Sequence, residues 1–207
     1  MYRKFKVIFW LAVVLLGGLW GCGGPPVPME QPPDIATTEA PAPSRAGVPD
    51  KILLEEGLTG RALSPPEVAG LSERLLSEGN SALSDDKTMA RLELVLLKAL
   101  KGEDKVPNPV LWRNLGIIHF HQKKYERAQQ ELKKANEINP RDARTHFYLA
   151  GLLVRQAEIC QRKGLKKKSR GLLKQANTEM ELARKFAPNN PLYRQDPKQL
   201  LQPEPEK

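Results

Sequence analysis

The sequence predicts an all-α protein, a solenoid of about six helices built from stacked helical hairpins behind a disordered, proline-rich N-terminal tether. Three observations predict it. Apolar and small residues recur at fixed offsets in the second half of the chain: Leu115 and Gly116 return 34 residues on as Leu149 and Ala150. Ala128, Leu132, Ala135 and Pro140 return 48 residues on as Ala176, Met180, Ala183 and Pro188. A periodic recurrence of this length marks stacked supersecondary units. Upstream, Val68, Leu71 and Leu75, then Met89, Leu92, Leu96 and Leu100, fall at helical spacing. Finally, residues 23–50 hold eight of the 18 prolines, too many for a packed helix or sheet.

The elements follow in chain order. Residues 1–21 read as an export signal. Arg3, Lys4 and Lys6 form a basic start, Val7 to Leu16 is an unbroken apolar run, and Gly17, Gly18 and Gly21 supply small residues at its end. Val7 to Trp20 as a helix is roughly 21 Å long at 1.5 Å per residue, short of a bilayer core of about 30 Å. Residues 22–50 form a tether, with net charge −3 and scattered apolar residues, semi-rigid and extended because of its prolines.

Residues 51–108 read as a degenerate helical hairpin. Ser64-Pro65 supplies an N-cap followed by proline at the first helical position, residues Asn80 to Asp85 interrupt the pattern, and Gly102 and Pro107 close the second helix. Residues 109–142 form the first clear repeat and residues 143–190 the second. The second carries fourteen more residues between its signatures than the first. Split evenly, that adds seven per helix, close to two turns of ~3.6 residues, which keeps both apolar faces in phase. Lys163-Gly164 is then the turn, and the hairpin projects about 10 Å beyond its neighbour. Residues 191–207 read as a flexible tail that leaves the last apolar face open, unless a short Lys198–Gln202 helix folds over it.

Two stretches resemble known families. With Pro109 as repeat position 1, Trp112 falls at 4, Leu115 at 7, Gly116 at 8, Ala128 at 20, Leu132 at 24, Ala135 at 27 and Pro140 at 32. Residues 109–140 therefore resemble a tetratricopeptide repeat, with His119 where tyrosine is usual. The small residues let two antiparallel helices approach, and the large ones fill between them. Leu19-Trp20-Gly21-Cys22 resembles the lipobox of bacterial lipoprotein precursors. That resemblance implies cleavage before Cys22, acylation of its thiol and amine, and, with Gly23 following, an outer-membrane location facing the periplasm. Two or more acyl chains anchor a protein stably. The competing reading keeps residues 7–20 as an uncleaved anchor.

The tetratricopeptide resemblance also implies a concave groove lined through positions 2, 5, 9, 12 and 13. Here these are Val110, Arg113, Ile117, Phe120 and His121, then Arg144, Phe147, Gly151, Val154 and Arg155. Apolar residues beside three arginines suit a peptide carrying a carboxylate, so a protein partner is expected there. The chaperone-type carboxylate clamp is excluded, since Ile117 and Gly151 stand where it needs asparagine. Similar lipoproteins serve as pilotins for secretins or as assembly factors of the outer membrane and wall.

Charge is uneven. Residues 51–108 carry net −2 and residues 109–207 net +11, with Arg162, Lys163, Lys166, Lys167, Lys168 and Arg170 gathered at the expected hairpin tip. Such a tip suits anionic lipid, an anionic envelope polymer or an acidic protein. No aromatic residue is interleaved for base stacking, so nucleic acid is not an expected partner. No oligomeric state is implied.

Enzyme chemistry is not expected. Two distant cysteines exclude a disulfide scaffold and a cysteine zinc site. There is no Gly-rich phosphate loop, paired-carboxylate arrangement or Ser-His-Asp spacing, and no cofactor or metal is implied. His119 and His121 point about 200° apart on one helix, making His119 an inter-helix packing residue and His121 a groove residue. Cys160 lies on the core-facing stripe and reads as a small buried hydrophobe.

Overall fold

A computed structural model describes residues 48–60, 63–77, 81–102 and 107–196. The export signal, Cys22, most of the tether and the Lys198–Gln202 segment lie outside the described residues. Among the described residues the fold is entirely helical: α1 (Asp50–Thr59), α2 (Pro65–Leu75), α3 (Asp86–Lys101), α4 (Pro109–His121), α5 (Tyr125–Ile138), α6 (Ala143–Arg162) and α7 (Lys166–Phe186). Two short 3-10 helices accompany them, at Ser81–Ser84 and Pro191–Arg194. This is a tetratricopeptide-like solenoid in which α4 packs chiefly on α5 and α6 on α7, while α1 packs chiefly on α3 and α2 on α4.

Local chemistry sets the boundaries. Glu67 Oε2 accepts from both the backbone N and Oγ of Ser64, at 2.8 and 2.7 Å, tying down the start of α2. Side chains of Asp85, Asn108 and Asp142 cap α3, α4 and α6 by accepting from Thr88 N, Val110 N and Thr145 N. Both hairpin turns use the same closure. The Lys124 backbone N donates to His119 O at 2.8 Å, and Leu165 N to Cys160 O at 2.9 Å. Each closure needs one left-handed residue, Lys123 (φ 61°) in the first and Gly164 (φ 74°) in the second.

The fourteen extra residues divide seven and seven: α4 and α5 have 13 and 14 residues, α6 and α7 have 20 and 21. The α6–α7 hairpin therefore extends about 10 Å beyond its neighbour. In the shorter hairpin the helices touch at Gly116, where an added Cβ would sit 2.7 Å from Leu132 Cγ.

Two features go beyond the six expected helices. An extra helix, α1, packs on α3 at Gly57, whose Cβ position lies 3.0 Å from Val95. It is fastened by Arg91 to Glu55, by Arg74 to Asp50, and by Lys98 Nζ donating to Gly57 O and Leu58 O. At the other end the last hairpin is not left open. The 3-10 turn at Pro191–Arg194 lays Tyr193, 5% exposed, against Phe147, with ring centroids 5.1 Å apart. Arg184 Nε holds the turn by donating to Tyr193 O at 2.7 Å.

Candidate partner-binding surface

The expected groove is largely closed by the chain itself. Arg113, 8% exposed, donates to Asp142 Oδ1 at 3.0 Å and to Glu73 Oε1 of α2. Asn114 ties the same region to Ser72 Oγ and Glu73 Oε1, both at 2.8 Å. Arg144 donates to Leu76 O and has its other terminal nitrogen 3.7 Å from Glu73 Oε1. The carboxylate expected from a partner is thus supplied from within, by Glu73. Burial works against the Arg113 charge, but Asp142 and Glu73 more than restore it, and the Asp142 carboxyl is held below its ordinary range.

The apolar lining is a correction to the sequence reading. Ile117, Phe120, Phe147 and Val154 are 0, 5, 1 and 1% exposed, so they belong to the core and face no ligand. Gly151 is buried as well and Val110 half-buried. Among the described residues, α2 packs on α4 from one side and Tyr193 on Phe147 from the other, and together they cover this lining. Phe120 sits edge-on to Tyr125 and Tyr148, with centroids 5.9 and 5.3 Å away.

What stays open is the end of the groove nearer the hairpin turns. His121 is exposed, with Nε2 3.3 Å from the Tyr148 hydroxyl. Half-buried Arg155 has its guanidinium carbon 5.4 Å from the centre of the Tyr125 ring, and NH1 donates to Glu158 Oε2 at 3.3 Å. Partial desolvation, with the nearby charge of Arg144, holds His121 below its ordinary pKa. This strip offers ring faces, a neutral imidazole and a guanidinium, a set that can accept an aromatic or carboxylate-bearing peptide segment.

The second expected surface is intact. Arg162, Lys163, Lys166, Lys167, Lys168 and Arg170 are all exposed. Gly164, Leu165, Lys166, Lys167, Lys168 and Arg170 surround a shallow, open depression at the tip.

Two buried histidine clamps emerge from the tertiary structure. His119 Nδ1 lies 2.6 Å from Glu131 Oε2 and its Nε2 lies 3.1 Å from Glu93 Oε1, which joins α4 to α5 and α3. His146, which the spacing arguments passed over, places Nδ1 2.6 Å from Glu179 Oε2 and Nε2 2.9 Å from Pro140 O. Glu131 and Glu179 stand at the same repeat position, each just before a signature residue, Leu132 or Met180. That coincidence was the available sequence signal. Cys160 is a buried free thiol. Among the described residues no group of histidine, cysteine and carboxylate side chains is arranged to hold a metal ion.

With this geometry in view, comparison with known families adds one match. The chain carries a tetratricopeptide repeat, matched over residues 109–142. These are α4, α5 and the turn into α6. No curated protein and no solved structure matches the chain. Tetratricopeptide repeats are protein-interaction modules, typically without catalysis, so the match supports a scaffold that binds a protein partner.

Proposed function

We propose that this chain is a non-enzymatic, membrane-anchored scaffold of the bacterial envelope, an assembly or pilotin-like accessory factor. It docks a protein partner on the open end of the tetratricopeptide groove. The observation that carries the reading is the combination of the repeat at residues 109–142 with the strip beside it, where His121 is exposed and Tyr125 and Arg155 are half-buried. The arginines deeper in the groove, Arg113 and Arg144, are engaged internally, so docking falls to the strip. Anchoring rests on the lipobox-like Leu19-Trp20-Gly21-Cys22, and placement in the outer membrane rests on Gly23.

Photo-cross-linking in intact cells tests the docking. A cross-linking amino acid at His121 is expected to capture one protein stoichiometrically, with capture lost on Arg155→Glu and kept when Lys166, Lys167 and Lys168 are neutralised. Capture that ignores Arg155→Glu would refute the strip as the docking surface. Metabolic labelling with a palmitate analogue tests the anchor: label on the natural chain and none on Cys22→Ser is expected. Unchanged fractionation of Cys22→Ser would instead support residues 7–20 as an uncleaved anchor.

A further inference from the structure

We propose that the tip of the α6–α7 hairpin is a membrane-contact surface for anionic lipid headgroups, with Leu165 entering the interface between them. Three observations converge on it. No acidic residue occurs between Glu158 and Glu179, while this stretch holds seven basic ones: Arg162, Lys163, Lys166, Lys167, Lys168, Arg170 and Lys174. So dense a run of one sign on a hairpin costs helix stability through like-charge repulsion, and anionic headgroups relieve that repulsion. At the centre of the cluster stands an apolar side chain, Leu165, which is 49% exposed, with Ile159 behind it at 36%. The seven added residues per helix then carry this group beyond the neighbouring turn, where a flat surface can reach it without meeting the rest of the solenoid.

The shape and side-chain types favour a membrane over an acidic protein. The depression at the tip, lined by Gly164, Leu165, Lys166, Lys167, Lys168 and Arg170, is open to solvent rather than enclosed. Four of the six tip cations are lysines, flexible point charges that suit a fluid array of phosphates. Lysine stems spread over an interface while the ammonium groups reach phosphate, and a leucine ringed by lysines is an interfacial pattern. Polybasic segments are drawn to anionic leaflets and released by salt.

This inference stands apart from partner docking, and its test contains no partner. The full chain, carrying Cys22→Ser, Cys160→Ala and Gln161→Cys, is labelled at position 161 with an environment-sensitive fluorophore and reconstituted into vesicles. In vesicles of phosphatidylcholine with phosphatidylglycerol, blue-shifted emission and quenching by brominated lipid are expected. Both should be lost in phosphatidylcholine alone, at high salt, and on changing Lys166, Lys167 and Lys168 to glutamine. Leu165→Ser, which keeps every charge, should lose the bromine quenching while retaining part of the shift; far-UV circular dichroism verifies that each variant is folded. Equal emission in the two vesicle types would overturn the proposal. So would a shift produced by added polyglutamate but not by phosphatidylglycerol, which would assign the tip to an acidic polypeptide.

Discussion

His119 Nδ1 and Glu131 Oε2 lie 2.6 Å apart in the middle of the first repeat, and the histidine side chain is 3% exposed. Burial alone would discharge the imidazole. The bonds to Glu131 and Glu93 outweigh it and raise the His119 pKa, and bonds to Glu179 and Pro140 O do the same for His146. A pKa raised on folding means that the folded state binds protons more tightly than the unfolded chain. The stability this contributes is fully present below the ordinary imidazole value of about 6.5 and is lost as pH rises through the folded values. Glu93, whose pKa is lowered despite partial burial, adds a contribution lost on the acid side. Urea unfolding should therefore show stability falling as pH rises above about 6.5. The double variant His119→Gln, His146→Gln should show a flatter profile over that window, and an unchanged slope would contradict the clamp.

Gly116 and Gly171 make a matched pair. Both are helical, but a Cβ at Gly116 meets Leu132 Cγ at 2.7 Å, whereas one at Gly171 meets nothing within 4 Å. Alanine gains about 1 kcal/mol over glycine in a helix interior, and overpacking a filled core costs about 1–3 kcal/mol. Gly171→Ala should stabilise by up to about 1 kcal/mol, while Gly116→Ala should destabilise on balance because Leu132 is fully buried. Thermal melts of the two variants read the opposite signs.

Arg113 is a strut between α2 and α6, through Glu73 and Asp142. Removing one member of a buried ion pair strands the other, at about 3–5 kcal/mol when burial is complete. Glu73 is 36% exposed and Asp142 18%, so Arg113→Met should cost about 2 kcal/mol, below that range. A double-mutant cycle with Asp142→Asn, read by urea unfolding, should return a coupling well above the ~0.5 kcal/mol seen for independent sites. Loss of partner binding in an Arg113 variant would then report loss of the fold.

Tyr193 closes the last hairpin over Phe147. Truncating a large buried aromatic costs about 3–5 kcal/mol. Tyr193→Ala should fall near the lower end of that range, since the side chain comes from a single 3-10 turn. It should also raise binding of a hydrophobic dye, because Phe147 becomes uncovered. A variant that melts normally and binds no more dye would remove the capping role of this turn.

The hairpins were legible in the sequence because they rest on local rules. Gly116 and Ala128 mark where helices touch, Asn108-Pro109 starts α4, and a fourteen-residue insertion can stay in register only as whole turns added to both arms. Helix α1 was not legible. Its apolar residues Ile52, Leu53 and Leu54 are consecutive, which spreads them around the helix and weakens its amphipathic signal; Leu53, Leu54 and Gly57 are buried, and the helix packs on α3 and α2.

The sequence by itself determined the helical class, the repeat, the longer second hairpin and the basic tip, all of which depend on spacing along one or two adjacent helices. The tertiary structure alone decided which groove residues remain available. Glu73 and Tyr193 lie outside the repeat signature, 40 residues before Arg113 and 46 residues after Phe147. No periodicity connects them to their partners, yet they close the concave face. Among the described residues, the cationic lining of the repeat packs on α2, and Phe147 on the turn that carries Tyr193. The lining is satisfied by these segments on either side, because an uncovered apolar face or an unpaired buried charge costs more than folding those segments back.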